Sequence, residues 1–142
     1  MVAPKNNTIE DKLQISLIPF DIIIPMLEPA YREGIIKYQR ESWRLGFNST
    51  VMYDALMRHL TAWFFKLETN DPEAKERFNI DKHHLGSAMF CLINLYNTEM
   101  KFPELDDRPL KLKLNKTNLV EEQSEKEQLL YDKNINTFPR FW

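Results

Sequence analysis

RHLTAWFFKLETNDPE, residues 58–73, is the stretch on which the reading of this chain turns. Its first half completes a repeat that begins upstream. Met52, Leu56, Leu60, Trp63 and Leu67 recur at spacings of three and four, which predicts an amphipathic helix over about 50–67. Asp54 and Arg58 stand one turn apart off that stripe and can pair. Its second half gathers carboxylates just past the helix, and DKHHLGSAMF follows from residue 81. The stretch reads either as a polar turn joining two core helices or as a binding site built on that turn.

Working outward, residues 81–100 predict a helix that is apolar on most sides, with Leu85, Ala88, Met89, Leu92, Ile93, Leu95 and Tyr96. Such a helix is central in a bundle. Its polar line is His83, Ser87 and Asn94. Upstream, LQISLIPFDIIIPMLEPAYREGIIKYQRESW mixes a short apolar run with a helical pattern. Pro25 and Pro29 read as helix starts, since proline is tolerated in a first turn. A first helix is predicted over roughly 20–39, with Pro29 the place for a kink.

WRLGFNST is a loop ending in an N-cap, and ETNDPEAKERFNID is a charged connection with a helical turn over 72–77. KFPELDDRPL then breaks the third helix, and LKLKLNKT after it alternates like a strand. NLVEEQSEKEQLLYDKN returns to a charged helical pattern, and TFPRFW closes with three aromatics in six residues. An end this aromatic is expected to dock on the body or on a neighbouring subunit. The expected fold is all-α, a helical bundle of three to five helices. Residues 1–16 form an arm, 17–109 the domain, and 110–142 a C-terminal extension.

The 142 residues are 43% hydrophobic and 12% aromatic, which supports a packed body rather than a disordered chain. A net charge of −2 gives no reason to expect a nucleic acid polymer or an anionic membrane as partner. The single Cys91 excludes an internal disulfide and fits a reducing compartment. MVAPKNNTIEDK lacks the apolar core of a secretory signal, and ISLIPFDIIIPML is too short and broken to span a bilayer. A cytoplasmic location is expected.

Several residues invite chemistry. His59 lies on the apolar stripe, where it is either a core histidine bonded to a neighbour or an imidazole that contacts a ligand. Arg58 is either a surface partner of Asp54 or a forked donor to phosphate oxygens. Glu68, Asp71, Glu73 and Glu76 form the densest acidic cluster near an apolar scaffold. Glu68 and Asp71, like Glu73 and Glu76, share one face if the segment is helical. They are either a solvated turn or oxygen ligands for a hard cation. The lone Cys91 leaves no standard zinc set, and no adjacent His-Asp pair, Gly-rich phosphate loop or Ser-His-Asp arrangement is evident.

The order of these pieces is more specific than any one of them. LIPF, EGIIKYQRESWRLGF, YDALMRHLTAWFFKLETNDPE, HHLGSAMFCLINLYNTE and ELDDRP, in that order, resemble the phage-associated dATP/dGTP diphosphohydrolase family, N-terminal type. The resemblance covers about residues 17–109, and relatives of that family are similar to the all-α MazG-like pyrophosphohydrolases.

It implies hydrolysis of a purine deoxynucleoside triphosphate to the monophosphate and pyrophosphate with Mg2+. Glu68 and Asp71 would then be metal ligands, and Glu73 a further ligand or the base. Lys37 and Arg58 would neutralise the triphosphate, Tyr38 or Trp43 would face the base, and His59 and His84 would orient ligand or carboxylate. A homo-oligomer is implied as well.

The chain departs from the MazG-like pattern in its first helix, which offers only Glu28 and Glu33, five apart. It also carries Ser87 where family members often place a second histidine. Two other functions are compatible with the residues: a nucleotide-binding protein that sequesters without catalysis, and an interaction module acting through the tail.

Overall fold

The computed structural model describes residues 13–135, with side chains to residue 130. Its five α-helices are α1 (Phe20–Lys37), α2 (Ser49–Phe65), α3 (Pro72–Phe78), α4 (His84–Lys101) and α5 (Pro109–Ile135). Short 3-10 turns lie at Ile15–Leu17, Ser42–Leu45 and Pro103–Leu105, and no strand forms among the described residues. The fold is all-α, as the periodicity predicts. No helix among these residues is long and apolar enough to cross a membrane.

The chain divides into two compact units. Among the described residues unit 1 is 13–40 with 59–90, and unit 2 is 41–58 with 91–135. Each of α2 and α4 therefore contributes its two halves to different units.

In unit 1 the core is built of small and polar residues: Ala30, Ala62, Ala74, Ala88 and Ile80, with Glu33, Lys82, His84 and Ser87 also buried. Small side chains let backbones approach closely. A Cβ at Gly86 of α4 would stand 2.0 Å from the Met26 carbonyl oxygen of α1, so only glycine fits that crossing. Tyr31 packs edge-on against Phe90, with ring centroids 4.9 Å apart. Pro25 and Pro29 do not start α1 as predicted; both lie inside it. The helix begins at Phe20, where the Ile22 and Ile23 N–H groups donate to the Pro19 carbonyl. The two prolines remove two internal hydrogen bonds, and Pro29 is buried.

The second helix ends at Phe65, two residues before the predicted end. Leu67 turns left-handed (φ 57°) and Glu68 N–H donates back to the Ala62 carbonyl, which closes the helix end without a glycine. Trp63 is therefore 40% exposed and Leu67 85% exposed, while Ala62 takes the buried position.

Unit 2 has Met52, Leu56, Cys91, Asn94 and Thr98 at its centre. Thr98 Oγ1 accepts from the Phe47 N–H and donates to the Phe47 carbonyl. Gly46, at φ 79°, faces Phe102 and Leu105 with no room for a Cβ. The DDRP stretch organises this unit. Asp107 caps α2 by accepting from the Thr50 N–H (2.8 Å) and hydroxyl (2.5 Å). Asp106 receives both arms of Arg108 (2.8 and 2.7 Å) and Lys111 (3.0 Å), and Pro109 opens α5.

The strand-like reading of LKLKLNKT is corrected: residues 110–117 are helical. Lysine and leucine are good helix formers, Leu110 and Leu114 fit a helical face equally well, and no partner strand pairs with the segment among the described residues. TFPRFW, expected to dock, lies outside the described residues.

Candidate functional site

The connection after α2 is not helical, so the predicted one-face pairing of Glu68 with Asp71 does not arise from a helix. A different device places these residues. Thr69 and Asp71 run antiparallel to the segment just before α4, through an isolated bridge between Asn70 and His83. Asp71 N–H donates to the Lys82 carbonyl (2.8 Å) and His84 N–H to the Thr69 carbonyl (3.0 Å). The loop carrying α3 is thereby closed at its base, and Asp71 is brought beside Lys82 and His84.

Asp71 also caps α3, accepting from the Glu73 N–H (3.1 Å), with Pro72 next in the first turn. At the other end Asn79 adopts the left-handed conformation and Ile80, buried, donates to the Ala74 carbonyl. This seven-residue helix is thus fixed at both ends. His83 serves as a cap as well, its Nδ1 accepting from the Leu85 N–H (3.0 Å).

Three side chains converge on this base. His59, from the second half of α2, and His84, from the start of α4, face each other with their Nδ1 atoms 3.0 Å apart. Asp71 completes a group in which each residue offers one ligand atom and all three lie within 4.8 Å of one another. His84 is 4% exposed. Its Nε2 has no hydrogen-bond partner, and the Glu68 Oε2 lies 3.5 Å from it.

Behind Asp71 lies an ion network that the sequence does not advertise. Lys82 is buried, with Nζ 3.1 Å from Asp71 Oδ2 and bonded also to the Glu33 carboxylate. Glu33 in turn accepts from Lys37 (2.5 Å), whose ammonium also lies over the Phe78 ring. Burial by itself would raise the Glu33 carboxyl. Hydrogen bonds from Lys37 and Lys82 outweigh burial and hold it below its ordinary value. Asp71 follows the same rule: burial opposes its charge, and Lys82 with two backbone N–H groups overrides burial.

The expected site residues thus divide. His59, Glu68, Asp71 and His84 come together in unit 1. Lys37 joins through Glu33, and Tyr38 follows it as an exposed residue at the end of α1. The Glu73 carboxylate points outward into an ion pair with Arg77 (2.6 Å), both largely exposed. Trp43 and Arg58 belong to unit 2, where Arg44 stacks on Trp43 and Arg58 is exposed. Unit 2 holds a separate cavity of about 450 Å³ lined by Thr50, Tyr53, Leu95, Arg108 and Leu110, without a histidine. Sequence reasoning overlooked Lys82 and underused Glu33. A lysine directly before the paired histidines was the available signal for the first.

What these residues can do chemically is hold a cation beside a carboxylate and a buried imidazole. A family described as dATP/dGTP diphosphohydrolase, N-terminal, matches residues 2–108. No curated protein and no solved structure matches the chain. The match spans three-quarters of the sequence, and the chain belongs to that family.

Proposed function

As a member of the dATP/dGTP diphosphohydrolase N-terminal family, this chain, we propose, hydrolyses a purine deoxynucleoside triphosphate to the monophosphate and pyrophosphate with a divalent cation. The observation that carries this reading is the convergence of His59, Asp71 and His84 beside Glu68. A carboxylate beside an imidazole can hold a cation and take the proton of an attacking water. Magnesium, expected from the resemblance, would arrive on the triphosphate, whose oxygens are hard donors.

In this reading Glu68, half-buried and next to His84, takes the proton of the attacking water. The water oxygen bonds the α-phosphorus as the bond to the departing pyrophosphate oxygen breaks. Lys37 balances phosphate charge at the edge of the network, and exposed Tyr38 is the aromatic available to the base. Glu68 replaces Glu73 in the role of base, because the Glu73 carboxylate is engaged on the surface. Exposed Ile22, Ile24, Phe64 and Phe65 support the expected homo-oligomer, which mass in solution tests.

The deciding experiment is a turnover screen of deoxy- and ribonucleoside triphosphates with and without magnesium, beside Glu68→Ala. Pyrophosphate release from dATP or dGTP that the variant loses is expected. No turnover of any purine triphosphate would sink the reading, and tight binding without product would replace it with sequestration.

A further inference from the structure

We infer that His59, Asp71 and His84 form a resident site for a transition-series dication of the manganese-to-zinc kind, rather than for magnesium. The inference deepens the proposed function by naming the protein's own ion, and its binding test is independent of turnover.

The donor set is the first argument. Magnesium takes oxygen ligands and keeps several waters, so two imidazole nitrogens with one carboxylate are a poor fit for it. Imidazole with carboxylate suits manganese, iron, cobalt or zinc. The geometry is the second. The two Nδ1 atoms are 3.0 Å apart and the whole set spans 4.8 Å. Ion–ligand bonds of about 2.1 Å put adjacent ligands about 3 Å and opposite ones about 4.2 Å apart in a six-coordinate shell, so the imidazole pair already fits adjacent positions and side-chain shifts of about 0.6 Å or more bring in the carboxylate.

The surroundings are the third argument. His84 is more than nine-tenths buried, and its Nε2 has no hydrogen-bond partner while Glu68 stands 3.5 Å away. With Nδ1 on an ion, an Nε2–H aimed at a carboxylate is the outer-shell arrangement that orients metal-bound histidines. Asp71 already accepts from Lys82 and from the Glu73 and Ala74 N–H groups, and of the about four acceptor positions of a carboxylate one remains for an ion. Charge agrees as well. Glu33, Asp71 and Glu68 outnumber the ammonium groups of Lys37 and Lys82 by one, so the neighbourhood stays net negative and favours a cation.

The test is equilibrium binding of Mn2+, Zn2+ and Mg2+ to the full, metal-stripped chain without nucleotide. One Mn2+ or Zn2+ per chain is expected, held at least about 100-fold more tightly than Mg2+. Nitrogen hyperfine coupling from imidazole is expected on bound Mn2+. His59→Gln, at a half-buried position, should weaken binding about 100-fold or more, and Glu68→Gln about 10-fold to 100-fold. Glu73→Gln should leave binding unchanged.

Far-ultraviolet circular dichroism matching the parent keeps the variants interpretable. Equal affinity for Mg2+, absence of nitrogen coupling, or unaltered binding by His59→Gln overturns the inference. Histidine-dependent binding without turnover would keep it and remove the nucleotide reading. Magnesium-supported turnover without histidine-dependent binding would do the reverse.

Discussion

Lys82 Nζ lies 3.1 Å from Asp71 Oδ2, and the two side chains are 6% and 14% exposed. A lysine so little hydrated persists only because Asp71 and Glu33 both accept from it. It ties α1 to the base of the α3 loop and fixes where Asp71 presents its remaining acceptor positions.

Lys82→Met leaves Glu33 buried with Lys37 as its remaining cation. A loss of about 3 kcal/mol in unfolding free energy is expected, because removing one partner strands the other. Urea denaturation measures it. A change below about 1 kcal/mol would show that the network contributes little to stability.

Stability against pH follows from the carboxylates of the DDRP stretch. Hydrogen bonds from Arg108 and Lys111 hold the Asp106 carboxyl far below the usual range, and bonds from Thr50 lower Asp107. Folded values below unfolded ones mean a contribution that is complete above the unfolded value of about 4 and is lost as pH falls through the folded values. The melting temperature should stay level from pH 7 to about 5 and fall steadily below about 4. Asp106→Asn, which cannot titrate, should reduce that acid-side fall. A variant whose acid limb matches the parent would refute the assignment.

Glu68 and Glu73 separate the proposed site from the surface charge around it. Glu68→Gln is expected to lower turnover at least about 100-fold, the usual contribution of a positioned base. Glu73→Gln, its side chain paired outward with Arg77, should retain activity within about 3-fold. The opposite order would return the role of base to Glu73.

Gly86→Ala sets a methyl against the Met26 carbonyl oxygen, 2.0 Å away if nothing moves. Backbone cannot give way as a flexible side chain does. A loss of about 2–3 kcal/mol is expected, measured by thermal or urea unfolding. An unchanged midpoint would mean that α1 and α4 separate there without cost.

Leu67→Gly should act in the other direction. Leu67 is left-handed and largely exposed, so glycine relieves backbone strain and little packing is lost. A gain of about 0.5–1 kcal/mol is expected. A loss of that size would show that the Leu67 side chain packs in the folded protein more than its exposure implies.

The sequence by itself determined the all-α class, the positions of α2 and α4, and the residue order that marks the family, because helical periodicity and residue order are local properties of a chain. It also singled out His59, Glu68, Asp71 and His84, though for reasons of likeness rather than spacing. It misread LKLKLNKT, because alternation and helical spacing coincide over so few residues, and propensity together with Pro109 decides for the helix.

Only the tertiary structure decided that Glu68 and Asp71 meet histidines rather than each other along a helix, and that the Glu73 carboxylate turns away. The bond from Asp71 N–H to the Lys82 carbonyl and the left-handed turn at Leu67 set those directions. Each joins residues that no sequence period relates, and the buried Lys82 could be placed only by the carboxylates that surround it in space.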